Sequence, residues 1–277
     1  MNNKYPLISV ITPCFNDGRY LLECIESVCR SDYNNIEHII IDDGSTDKYT
    51  CKILDSLNTQ NLRLIRTQNQ GVCKARNEAI LASSGKYILP LDADDLISKK
   101  YISLGVRELE EDPSITLVVP TNYKYFGRRN KIINIESYSF DKLLGHNFFP
   151  NSSMFRRLDF DKVGGYNENM KEGLEDWELW INLLKHGGKV KYIDGIHYYY
   201  RLKRKSYSRN ASIDDKMHCS LRKQIYENHK ELFSEYFFNP LYSFEYQGVI
   251  NSREYRLGRF LLLPVRKILN ILENISR

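Results

Sequence analysis

The sequence predicts an α/β domain built on a mostly parallel sheet, and three observations carry that prediction. Short β-branched runs alternate with stretches of helical periodicity. Those runs end in loops of small and acidic residues. The composition, 42% hydrophobic and 27% charged over 277 residues, is that of a core-forming chain and excludes wholesale disorder. The length suits one large domain with a tail, divided as residues 1–210 and 211–277.

Each element follows from its pattern. Residues 7–13 (LISVITP) and 37–41 (EHIII) read as buried parallel strands. Between them Tyr20, Leu21, Cys24, Ile25 and Val28 repeat as the stripe of a helix lying on a sheet. The alternation continues with a strand at 62–66, a helix from Gly71 to Ser83, a strand at 86–91, a helix from Ser98 to Glu111 and a strand at 115–119. The Tyr- and Lys-rich residues 123–140 read as a hairpin or an extended crossover. A short strand at 152–156, a turn at Gly164–Gly165, a helix from Leu174 to His186 and strand-like segments over 189–200 complete the domain. Residues 214–238 read as helical. Residues 256–277 form a basic amphipathic segment interrupted by Pro264.

Charge and cysteine usage narrow the classes. Forty Lys+Arg against 35 Asp+Glu give a formal charge of +5, which suits an anionic ligand or membrane surface better than nucleic acid. No signal segment or membrane span is readable, so a cytoplasmic protein is expected, peripheral on the membrane if the tail binds lipid. Six cysteines without CxxC spacing argue for reduced thiols and against a zinc site. Twenty tyrosines supply flat faces with polar tips, suited to bases and sugars as well as to a core.

In a parallel sheet, ligands bind beyond the carboxyl ends of the strands. Three such loops stand out: Thr12–Asp17, Asp42–Asp47 and Asp92–Asp95. Asp92, Asp94 and Asp95 could ligate Mg²⁺ or Mn²⁺ together with a diphosphate, or simply cap the helix that follows. Glu175 and Asp176 open a helix carrying Trp177 and Trp180. There an ionised Asp could take a proton from a hydroxyl, or the pair could merely compensate the helix dipole. Flat tryptophans beside a carboxylate suit a sugar ring. Asp42 and Asp43 could be a turn alone, though their place after a strand argues for ligand contact; Arg76 and Asn77 could pair with a carboxylate or approach phosphate, or form a solvated helix face.

VITPCFN, IIIDDGSTD, NQGVCKARN, YILPLDADD, VGGYNENM and LEDWELW occur in the order and spacing of the family 2 glycosyltransferases, and over residues 7–210 the chain resembles that family. The resemblance implies the GT-A fold and an inverting transfer of sugar from a nucleotide diphosphate, of the UDP type, to a hydroxyl. It further implies that Pro13 and Phe15 border the base and that Asp43 accepts a hydrogen bond from it. Arg76 would help hold the nucleotide, Asp92 and Ala93 would lie along it with Asp92 on the ribose, and Asp94 with Asp92 would hold the divalent metal. Asp95 would support them. Asp176 would be the general base, with Glu175 and Trp177 positioning it or touching the acceptor.

One departure matters. Relatives carry Tyr-Arg-x-His where this chain has Tyr200, Arg201, Leu202 and Lys203, so Lys203 or Arg204 is expected to meet the diphosphate as a point charge. By analogy the acceptor is a saccharide or lipid-linked saccharide of a bacterial surface polysaccharide. Two other classes compete: a catalytically silent nucleotide-binding module, and a haloacid dehalogenase type phosphatase. The second needs D-x-D followed by Gly and Thr, which neither acidic loop provides.

Overall fold

The computed structural model describes residues 5–57, 62–203, 215–238, 241 and 243–275; the expected division at residue 210 lies outside them. Strands β1 (Ile8–Cys14), β2 (Ile36–Asp43), β3 (Leu62–Thr67) and β4 (Tyr87–Pro90) form the parallel half of a sheet, in the order β3-β2-β1-β4. Helices α1 (Gly18–Cys29), α2 (Lys48–Ser56) and α3 (Val72–Leu81) connect them. The stripe on α1 faces inward as its spacing requires, with Leu21, Cys24, Ile25 and Val28 buried.

Beyond β4 short antiparallel pairings join a sheet whose long pairings are parallel, as expected. Strand β8 (Met154–Arg156) runs antiparallel to β4 and to β6 (Ile115–Gly127), while β6 and β9 (Lys189–Leu202) pair in parallel. The strand expected at 115–119 therefore continues through the tyrosines to Gly127 and forms a hairpin with β7 (Lys131–Asn134). Pro120, inside β6, sits beside a register shift, the irregular place where a missing backbone N–H is tolerated.

A two-residue strand, β5 (Leu96–Ile97), pairs with Tyr198 and Tyr199 of β9. It displaces the start of α4 (Tyr101–Glu111) three residues past the expected Ser98. Short helices α5 (Phe140–Gly145) and α6 (Arg157–Val163) have no sequence-level counterpart. Helix α7 (Glu175–Leu184) lies where expected.

One core fills the face carrying α3 and α7, and a second fills the face carrying α1 and α4. Residues 214–238 contain two helices, α8 (Asp215–Asn228) and α9 (Lys230–Tyr236). Leu221 and Ile225 of α8 belong to the first core, so this segment is packed on the catalytic half. Beyond α10 (Phe244–Asn251), helix α11 (Arg253–Ile275) runs on through Pro264, where an interruption was expected. A helix can carry a proline at the loss of one backbone hydrogen bond. Among the described residues no helix is long and apolar enough to cross a membrane.

Candidate active site

The carboxyl ends of β1, β2 and β4 meet at one rim, and short polar contacts lock their loops together. Asn16, after β1, adopts a left-handed backbone with φ 58°, which asparagine tolerates. Its side-chain oxygen accepts from the amides of Thr46 and Asp47, both at 2.8 Å, tying the first loop to the second. Pro13 is partly exposed, and the Phe15 ring, 45% exposed, stands free on this rim.

Asp43 is buried at the end of β2. Its carboxylate accepts from the Gln70 and Gly71 amides, both at 2.9 Å, and from the Thr67 hydroxyl. Asp43 thus fixes the turn into α3, and of its roughly four lone-pair positions about one stays open. Asn77 of α3 pairs in both directions with the backbone of Tyr166, at 2.9 Å each way, rather than facing solvent.

Arg76, also on α3, pairs with carboxylates, one of the two contacts its sequence position suggested. Its guanidinium is 2% exposed and spans the site, with Nη2 2.7 Å from Asp92 Oδ1 and Nη1 2.7 Å from Glu175 Oε1. Each terminal nitrogen thus meets a protein carboxylate, and Arg76 joins the β4 rim to α7. A buried guanidinium needs such partners, and planar forks suit carboxylates. Asn151 adds a 3.1 Å bond to Asp92 Oδ1.

Helix α7 starts from a strained corner: Gly173 has φ 122° and Leu174, not a glycine, has φ 61°. That corner brings Glu175 to Arg76 and sets Asp176 beside it. Asp176 Oδ1 accepts from the Trp177 amide at 2.7 Å, and Oδ2 accepts from Asn147 Nδ2 at 3.0 Å. Burial, then repulsion from Glu175, pushes the Asp176 carboxyl up to about 7, against the opposing pull of the Trp177 amide, Arg76 and Asn147. Such a group is poised to accept a proton near neutrality.

Trp177 and Trp180 do not face a sugar. Both are buried, and Trp177 Nε1 donates to Leu143 O at 2.6 Å, so these rings anchor α7 in the core beneath Asp176. His197 is likewise structural: it bonds Ser98 and the Asp194 carbonyl and stacks on Tyr101.

Ala93 is buried in the β4 loop. Asp95 supports that loop, because its carboxylate accepts from Tyr198 Oη and from the Arg201 amide, joining it to the end of β9. Burial, then the charges of Asp94 and Asp92, raise Asp95 well above the ordinary carboxylate range. Asp94 points the other way. Its Oδ2 lies 2.9 Å from Lys203 Nζ, which also contacts Asp17 at 2.9 Å.

That contact bears on the expected metal. A divalent ion of the Mg²⁺ or Mn²⁺ kind takes about six oxygen ligands, and Mg²⁺ demands a near-ideal octahedron. Here Asp94 already carries an ammonium on one oxygen, and Asp92 carries two donors on one oxygen. Lys203 thus stands at the Asp94 oxygen where one metal contact was expected. Arg204 lies outside the described residues.

Asn147, Asn151 and Asp17 escaped the sequence reading as individual site residues. The two asparagines lie between α5 and β8, in a stretch without periodicity, and only tertiary folding reveals them. Asp17 lay inside a loop already singled out, and a free carboxylate there was the available signal.

The sequence and the fold have counterparts among known proteins. Residues 133–205 match the family described as N-terminal domain of galactosyltransferase. Chondroitin synthase of Escherichia coli is 30% identical over 204 residues, which are 70% of this chain and 29% of that protein. Glycosyltransferase GlyG of Streptococcus pneumoniae is 35% identical over 122 residues, 43% of this chain and 40% of that protein. The chain therefore matches less than half the length of these curated relatives. S. aureus TarS 1-349 in complex with UDP-GlcNAc superposes with a TM-score of 0.62 at 19% identity, covering 74% of this chain and 61% of that one. A mannosyltransferase from Pyrobaculum calidifontis, in complex with GDP-Man and Mn2+, gives 0.56 at 18% identity, covering 75% and 60%. At these identities the solved structures support the GT-A type of fold. The pattern of the family described as glycosyl transferase family 2 matches residues 9–167, more than half the sequence, and the chain belongs to that family.

Proposed function

We propose that this chain transfers a sugar from a nucleotide diphosphate donor, of the UDP type, to a hydroxyl of a saccharide or lipid-linked saccharide, with inversion. One observation carries the proposal: a single buried guanidinium holds both the strand-end acid Asp92 and the α7 acid Glu175, next to Asp176. Donor-side and base-side groups thus stand side by side.

In this reading Phe15 and Pro13 border the base, the open position on Asp43 takes a base N–H, and Asp92 with Ala93 lies along the ribose. Asp176 removes the proton from the acceptor hydroxyl as its oxygen forms the new bond to the anomeric carbon. The bond from that carbon to the diphosphate breaks, and the nucleotide leaves with the electron pair. No covalent enzyme intermediate is needed. The Trp177 amide and Asn147 hold the Asp176 carboxylate, and Arg76 lowers it against burial and the charge of Glu175.

Intact acids at 92, 94 and 176 weigh against the silent module, and the adjacent aspartates of the β2 loop weigh against the phosphatase. Phe15 gives a direct check. Base stacking on an aromatic ring is worth about 1–3 kcal/mol, so Phe15→Ala should raise the donor KM by roughly fivefold to a hundredfold with kcat little changed. An unchanged KM would remove Phe15 from the donor site.

A second observation favours attachment to an anionic membrane surface, which would place the enzyme at the inner face of the cell membrane. On α11, Leu257, Phe260, Leu261, Leu262, Leu263 and Val265 are exposed together with Arg256 and Arg259. The side chains from Arg266 onward lie outside the described ones. A chain ending at Ser252 keeps Leu221 and Ile225 in the core and is the clean comparison. The full chain should float with vesicles containing phosphatidylglycerol and the shortened one should not; equal recovery would remove the tail from membrane binding.

A further inference from the structure

The Lys203 ammonium stands at Asp94, where the family's metal was expected. Its Nζ is 2.9 Å from Asp94 Oδ2, and 2.9 and 3.1 Å from the two oxygens of Asp17. A lysine ammonium has three N–H donors. Asp94 and the two oxygens of Asp17 offer three acceptors to those donors, so an incoming oxygen would replace one of the Asp17 contacts.

The space beside Lys203 suits an anion. A cavity of about 550 Å³ is lined by Tyr20, Gly127, Arg128, Arg201, Leu202 and Lys203; Arg128 is exposed on its wall, and Arg201 also pairs with Glu23 at 2.8 Å. Arg201 is held rigid there: its Nε donates to Asp94 O at 2.7 Å, and its guanidinium lies 4.4 Å from the centre of the Phe126 ring and 4.7 Å from that of Tyr20. The side chain of Lys203 is largely enclosed, unlike a lysine that reaches solvent.

Resting on the donor reading above, the geometry points to Lys203 as the resident cation that receives the diphosphate of the nucleotide donor, with Arg128 and Arg201 on the cavity wall, in place of a divalent metal. Two aspartates hold the ammonium at a fixed place, so the phosphate meets a preorganised charge.

The test is titration calorimetry of UDP into the full-length protein, in EDTA and in Mn²⁺, with thermal melts confirming that each variant is folded. Wild type should bind UDP in EDTA, with Mn²⁺ changing the affinity by less than about threefold. Lys203→Gln should weaken binding in EDTA by at least about tenfold. Lys203→His, which sets an imidazole beside Asp94 and Asp17, should bind UDP only when Mn²⁺ is present. If wild type binds UDP only with Mn²⁺, or if Lys203→Gln binds as wild type in EDTA, the lysine's role is overturned while the donor reading stands. If wild type binds neither UDP nor GDP in either medium, the donor reading falls and the lysine's role falls with it.

Discussion

Asp176→Asn should lose sugar transfer by about 10²- to 10⁴-fold in kcat, the range spanned by a positioned general base, with nucleotide affinity preserved. The same variant carries a stability signature of opposite sign. Asp176 is raised from an unfolded value of 3.8 to about 7 by burial and by Glu175, so the folded protein holds a proton that the unfolded chain releases between those values. Its contribution to stability is complete below 3.8 and is lost as pH rises through 7. Above pH 8 the ionised carboxylate costs the fold up to roughly 4 kcal/mol, and Asn carries no such charge. Asp176→Asn should therefore melt higher than wild type at pH 8.5, with a smaller difference at pH 5. A variant that is inactive because it is unfolded would melt lower at both, which separates a lost base from a lost structure.

Arg76→Gln should produce the largest loss of stability in the site. Breaking a buried pair by removing one partner costs about 3–5 kcal/mol, and Arg76 serves two carboxylates at once, so the melting temperature should fall on the order of 10 °C. The second effect concerns the reaction. Arg76 lowers the Asp176 carboxyl against its burial, and removing the guanidinium should push that carboxyl higher. The acidic limb of kcat/KM, expected near pH 7 in wild type, should move to higher pH. Arg76→Lys keeps the charge and loses the second fork, so its limb should lie between the two. A variant that is destabilised with an unmoved acidic limb would leave Arg76 as a structural tie alone.

The parallel half of the fold was legible because its strands are buried on both faces and read as unbroken β-branched runs. Ile39, Ile40 and Ile41 are all buried in β2. The mixed half was not, because antiparallel pairing of β8 depends on where three residues land between two distant strands. β5 is two residues long and exists only because Tyr198 and Tyr199 lie beside it, which no local pattern announces.

The site divides along the same line. Acids at strand ends and at a helix start are visible from periodicity and punctuation, and the resemblance gave them roles. What each side chain touches was not visible. Arg76 could pair with a carboxylate or face solvent on sequence alone, and only the folding of α7 against it decides which. Trp177 reads as a sugar platform until Leu143 O is found at its indole nitrogen. Lys203 was expected to meet a diphosphate, yet its hold on Asp94 and Asp17 required β9 and β1 to end at the same rim.

The central claim is that one cleft holds the nucleotide on its β1–β4 rim and the base on α7. A crystal structure of the protein with bound UDP tests it most directly. The account predicts the uracil against Phe15, the diphosphate at Lys203, and open space between that diphosphate and the Asp176 carboxylate wide enough for a sugar ring. UDP bound on another surface, or side chains filling the gap between Asp92 and Asp176, would contradict it.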